Sequence, residues 1–281
     1  MAKKVEKTTA LAVPRVEEPW EQALREKARD RKSAETLGIP RLSQKGGVLT
    51  LDGKRVVDAE GRNRVQIVPL GLVYGKELYQ TEYTPGSNET PICYAFGERS
   101  DKGLVAHTAS PDRQNTKPDG SSPCDGCQHN AFGTALKGRG KRCSDKRKIP
   151  FLLASDLARG QQVKTPEEWE KLVRKAPMYQ MSIPSGSLRS FGQFLGNLKD
   201  IAAHEDLTEV VVEVRTEPNP NGAFTVELQA LDAVPVQAMP ALLKRAEGVF
   251  GLMAQPFPVI AEAAKAPQTE IKGQPRKGAR R

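Results

Sequence analysis

Four cysteines lie inside one long stretch that has no regular hydrophobic pattern, and this stretch most constrains the fold. Cys93 stands alone, Cys124 and Cys127 form a C-x-x-C pair, and Cys143 follows after 15 intervening residues. Residues 85–147 around them are rich in Pro, Gly, Asp, Asn and Ser. A structureless segment of this length is rare inside a compact domain unless something cross-links it. We therefore expect the cysteines to hold the segment together.

Zinc is the cross-link that the cysteine spacing predicts. A C-x-x-C pair offers two thiolates to one tetrahedral ion, and two more cysteines complete the closed shell that structural zinc prefers. The predicted ligands of one structural ion are Cys93, Cys124, Cys127 and Cys143. His129 and His107 compete for the fourth position, since imidazole also suits zinc. A redox role is the weaker alternative, because a redox C-x-x-C pair should lie between a strand and a helix.

The charge of the chain favours an anionic partner. Lys and Arg number 43 against 34 Asp and Glu, which gives a net charge of +9. Nucleic acid or an anionic membrane surface would match this charge. No segment approaches the ~18 apolar residues of a membrane helix, and the first apolar stretch is too short for a secretory signal. We therefore expect an intracellular protein, in which four cysteines favour metal over disulfides.

Regular structure is expected on both sides of the cysteine-rich segment. Residues 47–57, with a turn at Asp52-Gly53, predict a hairpin. Residues 65–74 predict one long strand bent near Pro69 and Gly71, and the next strand is expected over 76–83. Later strands are expected over 148–154, 178–183, 210–214 and 224–230, and an amphipathic segment over 236–253. A helix is expected over 165–175, with Thr165 as its cap and Pro166 at its first position. Another is expected over 188–201, where apolar residues recur at three- and four-residue intervals. Short bent strands in series predict a small antiparallel barrel or sandwich.

The pattern divides the chain into three parts. Residues 1–41 predict a charged, mobile arm with a short helix around 20–31. Residues 42–254 predict the folded core, with the zinc lobe inserted at 85–147. Residues 255–281 predict a disordered basic tail.

A dense basic segment follows the C-x-x-C pair. Between Lys137 and Lys148, seven residues are positive and one is negative. Attachment at Cys143 would concentrate these charges on one side of the lobe, and phosphates are their natural counter-charge. The candidate contacts are Lys137, Arg139, Lys141, Arg142, Lys146, Arg147 and Lys148, with Tyr79, Tyr83, Tyr94, Phe96 and Phe132 as candidates for base stacking. The alternative is a solvated face that only keeps the protein soluble.

Motifs of common enzyme classes are missing from the sequence. Neither His107 nor His129 begins the H-x-E pattern of zinc deaminases. Arg139 and Gly140 stand where a phosphate-binding loop requires Lys and Ser or Thr. There is no G-x-S-x-G elbow and no acidic cluster spaced for two metals. We therefore expect a binding protein rather than an enzyme.

Three blocks of this sequence together resemble a group of phage-encoded single-stranded DNA-binding proteins. The blocks are Pro91–Glu98 (PICYAFGE), Pro123–Thr134 (PCDGCQHNAFGT) and Gly138–Cys143 (GRGKRC). The resemblance covers residues 42–232 and implies a cysteine-bound zinc lobe inserted into an OB-like barrel. A further block, Ile183–Leu188, is similar to one that starts a helix on that barrel. Where many single-strand binders end in an acidic tail, this chain ends in Arg280-Arg281, so the resemblance does not extend to recruitment of partners by the tail.

These observations predict an α+β protein: a bent antiparallel OB-like barrel with an inserted zinc-stabilised loop region and two or three packed helices. Its expected function is to coat single-stranded DNA in phage replication or recombination, without sequence preference and without turnover. Replication or recombination proteins are further candidate partners, and no membrane or small-molecule substrate is expected. If the chain is phage-encoded, the expected location is the host cytoplasm.

Two alternatives remain open from the sequence. A zinc-stabilised protein-interaction or transcription-regulating protein could use the same lobe to bind a protein. A nuclease would need acidic metal ligands that the sequence does not reveal.

Overall fold

A computed structural model describes residues 38–81, 89–136, 140–158, 165–202, 206–219 and 224–257, with side chains in the helix at 188–202 described as far as Leu198. The chain divides into two units at Pro40 and Arg41, and the fold below is that of the second unit. Outside the described residues lie residues 1–37 of the predicted arm (1–41) with its helix at 20–31, residues 258–281 of the predicted tail (255–281), Tyr83, Lys137 and Arg139.

The described residues form ten strands and five α-helices. The strands are β1 (Arg41–Ser43), β2 (Thr50–Leu51), β3 (Lys54–Arg55), β4 (Arg64–Pro69), β5 (Val73–Leu78), β6 (Cys93–Gly97), β7 (Ser144–Leu153), β8 (Met178–Ile183), β9 (Val210–Pro218) and β10 (Phe224–Ala233). The helices are α1 (Ala154–Ala158), α2 (Pro166–Lys175), α3 (Leu188–Ala202), α4 (Met239–Ala246) and α5 (Val249–Met253). All strands belong to one sheet, ordered β10-β9-β4-β7-β8-β1-β2-β3, with β5 beside β7 and β6 beside β5.

Strand β7 is the centre of the sheet because two strands share one of its edges. Strand β4 pairs with its last part, from Phe151 to Leu153, and β5 pairs with its first part, from Ser144 to Lys148. The extended segment is interrupted at Gly71, between β4 and β5. The φ of 142° at this position suits a residue without a side chain. The sequence predicted one bent strand here and placed the next strand at 76–83. The structure corrects this to two strands, which diverge into separate branches of the sheet.

The pairing of the first strand departs from the antiparallel barrel that the sequence predicted. Strand β1 runs parallel to β8, with Leu42 opposite Met181, whereas the other pairs are antiparallel. In the described part of the chain, the end strands β10 and β3 do not pair with each other. The fold is therefore α+β with a mixed, open sheet. Hairpin signals are local, so they could not show that a three-residue strand joins a partner far along the chain.

The main core lies between the sheet and α3. Ile67, Ile149 and Phe151 from the sheet pack with Phe191 and Leu198 of α3, and all five are buried. The predicted three- and four-residue spacing of apolar residues over 188–201 is confirmed by this helix. The segment at 236–253 is instead divided into α4 and α5 at Gly248, which has a φ of 75°. No helix among the described residues is long and apolar enough to cross a membrane.

The outer edge of β6 is covered by the loop that follows it. The backbone N–H of His107 donates to the carbonyl oxygen of Tyr94 at 2.7 Å, and that of Asp112 donates to Ile92 at 2.8 Å. The N–H of Tyr94 donates to the Ser110 hydroxyl at 3.1 Å. These bonds occupy backbone groups that an edge strand otherwise leaves open.

Helix α2 starts directly after Thr165, the cap that the sequence predicted, and the structure shows a full capping box there. The Thr165 hydroxyl accepts a hydrogen bond from the Glu168 N–H at 3.3 Å, and the Glu168 carboxylate accepts one from the Thr165 N–H at 3.2 Å. Pro166 occupies the first helical position. These contacts satisfy backbone donors that a helix start leaves unpaired.

We expect Thr165→Ala to lower the free energy of unfolding by about 1 kcal/mol, because one helix N–H loses its acceptor. Urea unfolding followed by circular dichroism measures the change. Thr165→Ser retains the hydroxyl and serves as the control. An Ala variant that unfolds at the same urea concentration as the parent would show that the box contributes no stability.

Candidate metal centre and nucleic-acid interface

Two of the cysteines are placed by the sheet. Cys93 begins β6 and lies opposite Leu78 of β5, and Cys143 directly precedes β7. Because β5 pairs with both β6 and β7, the two side chains meet in one small apolar cluster with Leu78 and Ala106. Both cysteines are 9% exposed.

The other two cysteines are brought to the sheet by the cysteine lobe, the segment 98–143 between β6 and β7. The Cys124 N–H donates to the Leu104 carbonyl at 2.8 Å, and the Cys127 N–H donates to the Cys124 carbonyl at 3.2 Å in a tight turn. The Cys143 N–H donates to the His129 carbonyl at 2.8 Å. These bonds connect the C-x-x-C turn to the start of β7.

All four cysteines are free thiols that influence one another electrostatically. Burial raises the pKa of Cys124 to about 11 and that of Cys143 to about 12, and neighbouring cysteines add to both shifts. Burial also raises the pKa of Cys93, to which Cys127 contributes. The fold therefore places the four thiols within electrostatic reach of one another.

The thiols do not form a coordination shell. Among the described residues, no group of three or more His, Cys, Asp or Glu side chains is arranged to hold a metal ion. Four thiol donors suit zinc by their chemistry, but the side chains are not arranged as the ligands of one ion. The zinc site stays a prediction.

The two competing histidines make other contacts. The ring of His107 stacks on Tyr94 with centroids 5.3 Å apart, and its Nδ1 accepts a hydrogen bond from the Ala109 N–H at 3.1 Å. The Nε2 of His129 lies 3.2 Å from the side-chain oxygen of Gln114.

A buried ammonium group beside the thiols was missed by the sequence analysis. Lys76 of β5 is 3% exposed, and its Nζ lies 2.6 Å from the Asp145 carboxylate and 3.1 Å from the Asn130 side-chain oxygen. Asn130 in turn donates to the Cys124 carbonyl at 3.1 Å, and Lys141 lies 3.1 Å from Asp145. These contacts attach the lobe to the sheet. The signal in the sequence was the spacing of Lys76 and Leu78. Residues two apart in a strand point to the same face, and Leu78 points inward.

Lys76 also acts on the thiols directly. Its positive charge opposes the effect of burial on the pKa of Cys124 and of Cys143. A buried cation stabilises thiolates, which are the form that binds metal.

The described cationic candidates lie near the start of β7, and most are already engaged with other groups. Arg142 donates to the Gln80 carbonyl at 3.1 Å. Arg147 lies over the Tyr74 ring at 4.4 Å and pairs with Asp101 at 3.0 Å. Lys146 is half-buried. The structure thus gathers Lys141, Arg142, Lys146 and Arg147 at one end of β7.

Two candidate contacts are buried, in contrast to what the sequence analysis expected. Lys148 is 6% exposed, and its Nζ lies 4.1 Å from the Phe96 ring centre and 5.0 Å from that of Phe257. Tyr94 is 2% exposed and packs edge-on against Phe257 at 4.9 Å. The strand alternation explains this, since both residues point to the face of the sheet opposite Lys76.

The remaining stacking candidates differ in exposure. Phe132 at the tip of the lobe is 80% exposed, and the Nζ of Lys141 lies 5.2 Å from its ring centre. Phe96 is half-buried in the aromatic cluster with Lys148. Tyr79 is half-buried, and its hydroxyl donates to Glu77 at 2.9 Å. Among the candidate rings that the structure describes, Phe132 is therefore the most exposed.

Burial lowers the pKa of Lys148 from 10.5 to about 8. Below pH 8 the amine is charged in both the folded and the unfolded chain, so folding carries the full burial cost. Between about pH 8 and 10.5 the folded chain releases the proton first, and stability rises with pH. We expect the free energy of unfolding of Lys148→Met, relative to that of the parent protein, to fall by roughly 2 kcal/mol between pH 8 and 10.

Urea unfolding of both proteins at each pH measures this difference and cancels the titration of other groups. Lys146→Met, at a half-buried neighbour, is the control for removing a lysine from the same strand. A difference between Lys148→Met and the parent protein that does not change with pH would contradict the assignment.

Comparison of the chain with protein-family models, curated proteins and solved structures gave no match. The resemblance to phage-encoded single-stranded DNA-binding proteins therefore stays a prediction.

Proposed function

We propose that this protein binds single-stranded DNA without sequence preference and coats it, without turnover, during phage replication or recombination. The observation that carries the proposal is Phe132, which is 80% exposed on a lobe whose base gathers cationic side chains. An exposed aromatic ring beside positive charge is the combination by which proteins hold unpaired strands. A duplex keeps its bases stacked internally and cannot use such a ring.

The stacking surface is the face of Phe132 that Lys141 leaves free. The ammonium group of Lys141 is positioned by Asp145 at 3.1 Å and Asn130 at 3.4 Å, so it stays near the ring. A base on the ring would bring its phosphate close to this charge. Arg142 follows on the same segment and is the next candidate contact. Affinity should fall with salt, because each phosphate contact releases counterions.

The zinc ion belongs to the same proposal. We infer that Cys93, Cys124, Cys127 and Cys143 hold one structural ion, with Lys76 as a nearby counter-charge. Four protein ligands leave no position for a substrate, so the ion supplies rigidity rather than catalysis. Residues 124–128 of the C-x-x-C turn are exposed or half-buried, and a closed metal site stabilises segments that lack a core of their own.

We also infer that the sheet is a variant of the OB-like barrel. The support is the interruption between β4 and β5. Both strands pair with the same edge of β7, and β5 also pairs with β6 in a separate branch of the sheet. Strand bends of this kind are how a small barrel curves its sheet.

We expect Phe132→Ala to weaken binding to a single-stranded oligonucleotide roughly five- to 150-fold, the loss of one stacked base. Fluorescence anisotropy at low salt measures the dissociation constant. Phe132→Tyr retains the ring and should bind like the parent protein. If the parent binds duplex equally well, or if the Ala and Tyr variants bind alike, the proposal fails.

Elemental analysis should find one zinc per chain in the native protein. Cys124→Ser should lose the ion and make the lobe sensitive to protease, because metal binding and folding of the lobe are coupled. His129→Ala should keep the zinc. Native protein without zinc would refute the metal site, and loss of zinc in His129→Ala would place the histidine in the ligand set.

A further inference from the structure

A second surface lies at the opposite end of β7 from the cysteine lobe. It is an open groove of about 1300 Å³, bounded by the loop after β3, by β4 and β9, and by α1 and α2. Alternate residues of β4 face it, namely Arg64, Gln66 and Val68, while Ile67 points into the core. Since β7 spans ten residues, the groove and the lobe are separated by about 30 Å.

The floor and flanks of the groove are apolar. Val68, Trp169 and Val234 are buried beneath it. Val57 and Leu231 flank it with 45% and 42% of their surface exposed. The groove therefore combines a packed floor with accessible aliphatic side chains.

Acidic groups outnumber basic groups along the groove. The loop residue Arg62 pairs with Asp58 at 2.8 Å and also with Glu60. Its positive charge is therefore matched inside the loop.

The second arginine is also matched. Arg64 pairs with Asp58 and with Glu213, whose carboxylate lies 3.1 Å from it. Asp232 accepts a hydrogen bond from the Ala233 N–H at 2.9 Å and pairs with no cation in the described part of the chain. Four carboxylates thus face two guanidinium groups, which leaves two negative charges in excess on a chain of net charge +9.

Size and charge together decide what this groove fits. Pockets for small molecules are about 300–1000 Å³ and more enclosed, so this volume suits a chain segment better. The excess negative charge repels a DNA backbone. An apolar floor offers a purely polar ligand few partners for hydrogen bonds. We propose that the groove, named here the acidic groove, docks a basic peptide segment of a partner protein that also carries aliphatic side chains.

This docking surface is independent of the lobe. A partner held 30 Å away along β7 would leave Phe132 and Lys141 accessible. The protein could then hold a nucleic acid and a basic partner at once.

The test is a binding titration on the full chain. A fluorescent peptide of about twelve alternating lysines and valines is the probe, and its glutamate and valine counterpart is the matched control. We expect the lysine peptide to bind at low salt and the glutamate peptide not to bind. Asp232→Lys should weaken binding about fivefold or more, because an exposed acidic contact becomes repulsive. Leu231→Ser should weaken it through loss of apolar contact.

Glu98→Lys makes the same change of charge at an exposed position directly after β6, and it should leave peptide binding unchanged. Asp232 is exposed and makes one local hydrogen bond, so its variant should fold, and an unfolding curve checks this. Equal weakening by Glu98→Lys and Asp232→Lys would reduce the effect to net charge and overturn the proposal. Absence of lysine-peptide binding at low salt, or equal binding of the glutamate peptide, would overturn it as well.

Discussion

The pairing of β4 and β5 with one edge of β7 is the interaction on which the rest of the structure depends. The hydrogen bonds of β7 to β5 hold the start of the strand, where the cysteine lobe returns to the sheet, and its bonds to β4 hold the other end, beside the acidic groove. On its second edge β8 pairs with residues from Arg147 to Leu152. A strand bonded on both sides cannot shift by one residue without turning every side chain to the opposite face. The positions of Lys76 and Lys148 on opposite faces follow from this register.

Two buried lysines lie in different environments on opposite faces of the sheet. Lys76 pairs with Asp145 and donates to Asn130, and its positive charge opposes the effect of burial on the pKa of Cys124. Lys148 is buried beside the Phe96 ring without a carboxylate partner at ion-pair distance among the described residues, and this burial lowers its pKa. The first lysine connects the lobe to the sheet, whereas the second makes the packing of β6 and β7 sensitive to its protonation.

Local signals in the sequence predicted those elements that local physics determines. The cap at Thr165 predicted the start of α2, and the apolar spacing predicted α3. The four cysteines lie within electrostatic reach of one another, but no coordination shell is shown among the described residues, so their role as zinc ligands stays a prediction.

Features that depend on distant pairing could not be predicted in this way. The parallel partner of β1 and the break at Gly71 are set by strands far along the chain. Burial of Lys148 and Tyr94 depends on which face of β6 and β7 meets Phe257, a residue that follows α5. The acidic groove joins β4, β9 and two helices, and no single segment of sequence carries its charge pattern.

The bonds from His107, Ser110 and Asp112 to β6 give the cysteine lobe a second role in solubility. An uncovered strand with the sequence Cys-Tyr-Ala-Phe would be a template for association between copies, because open backbone groups and apolar side chains favour edge-to-edge pairing. The loop that follows β6 therefore shields this border of the sheet. Shortened versions of this chain built for crystallisation or engineering need to keep residues 107–112 even where the rest of the insertion is removed.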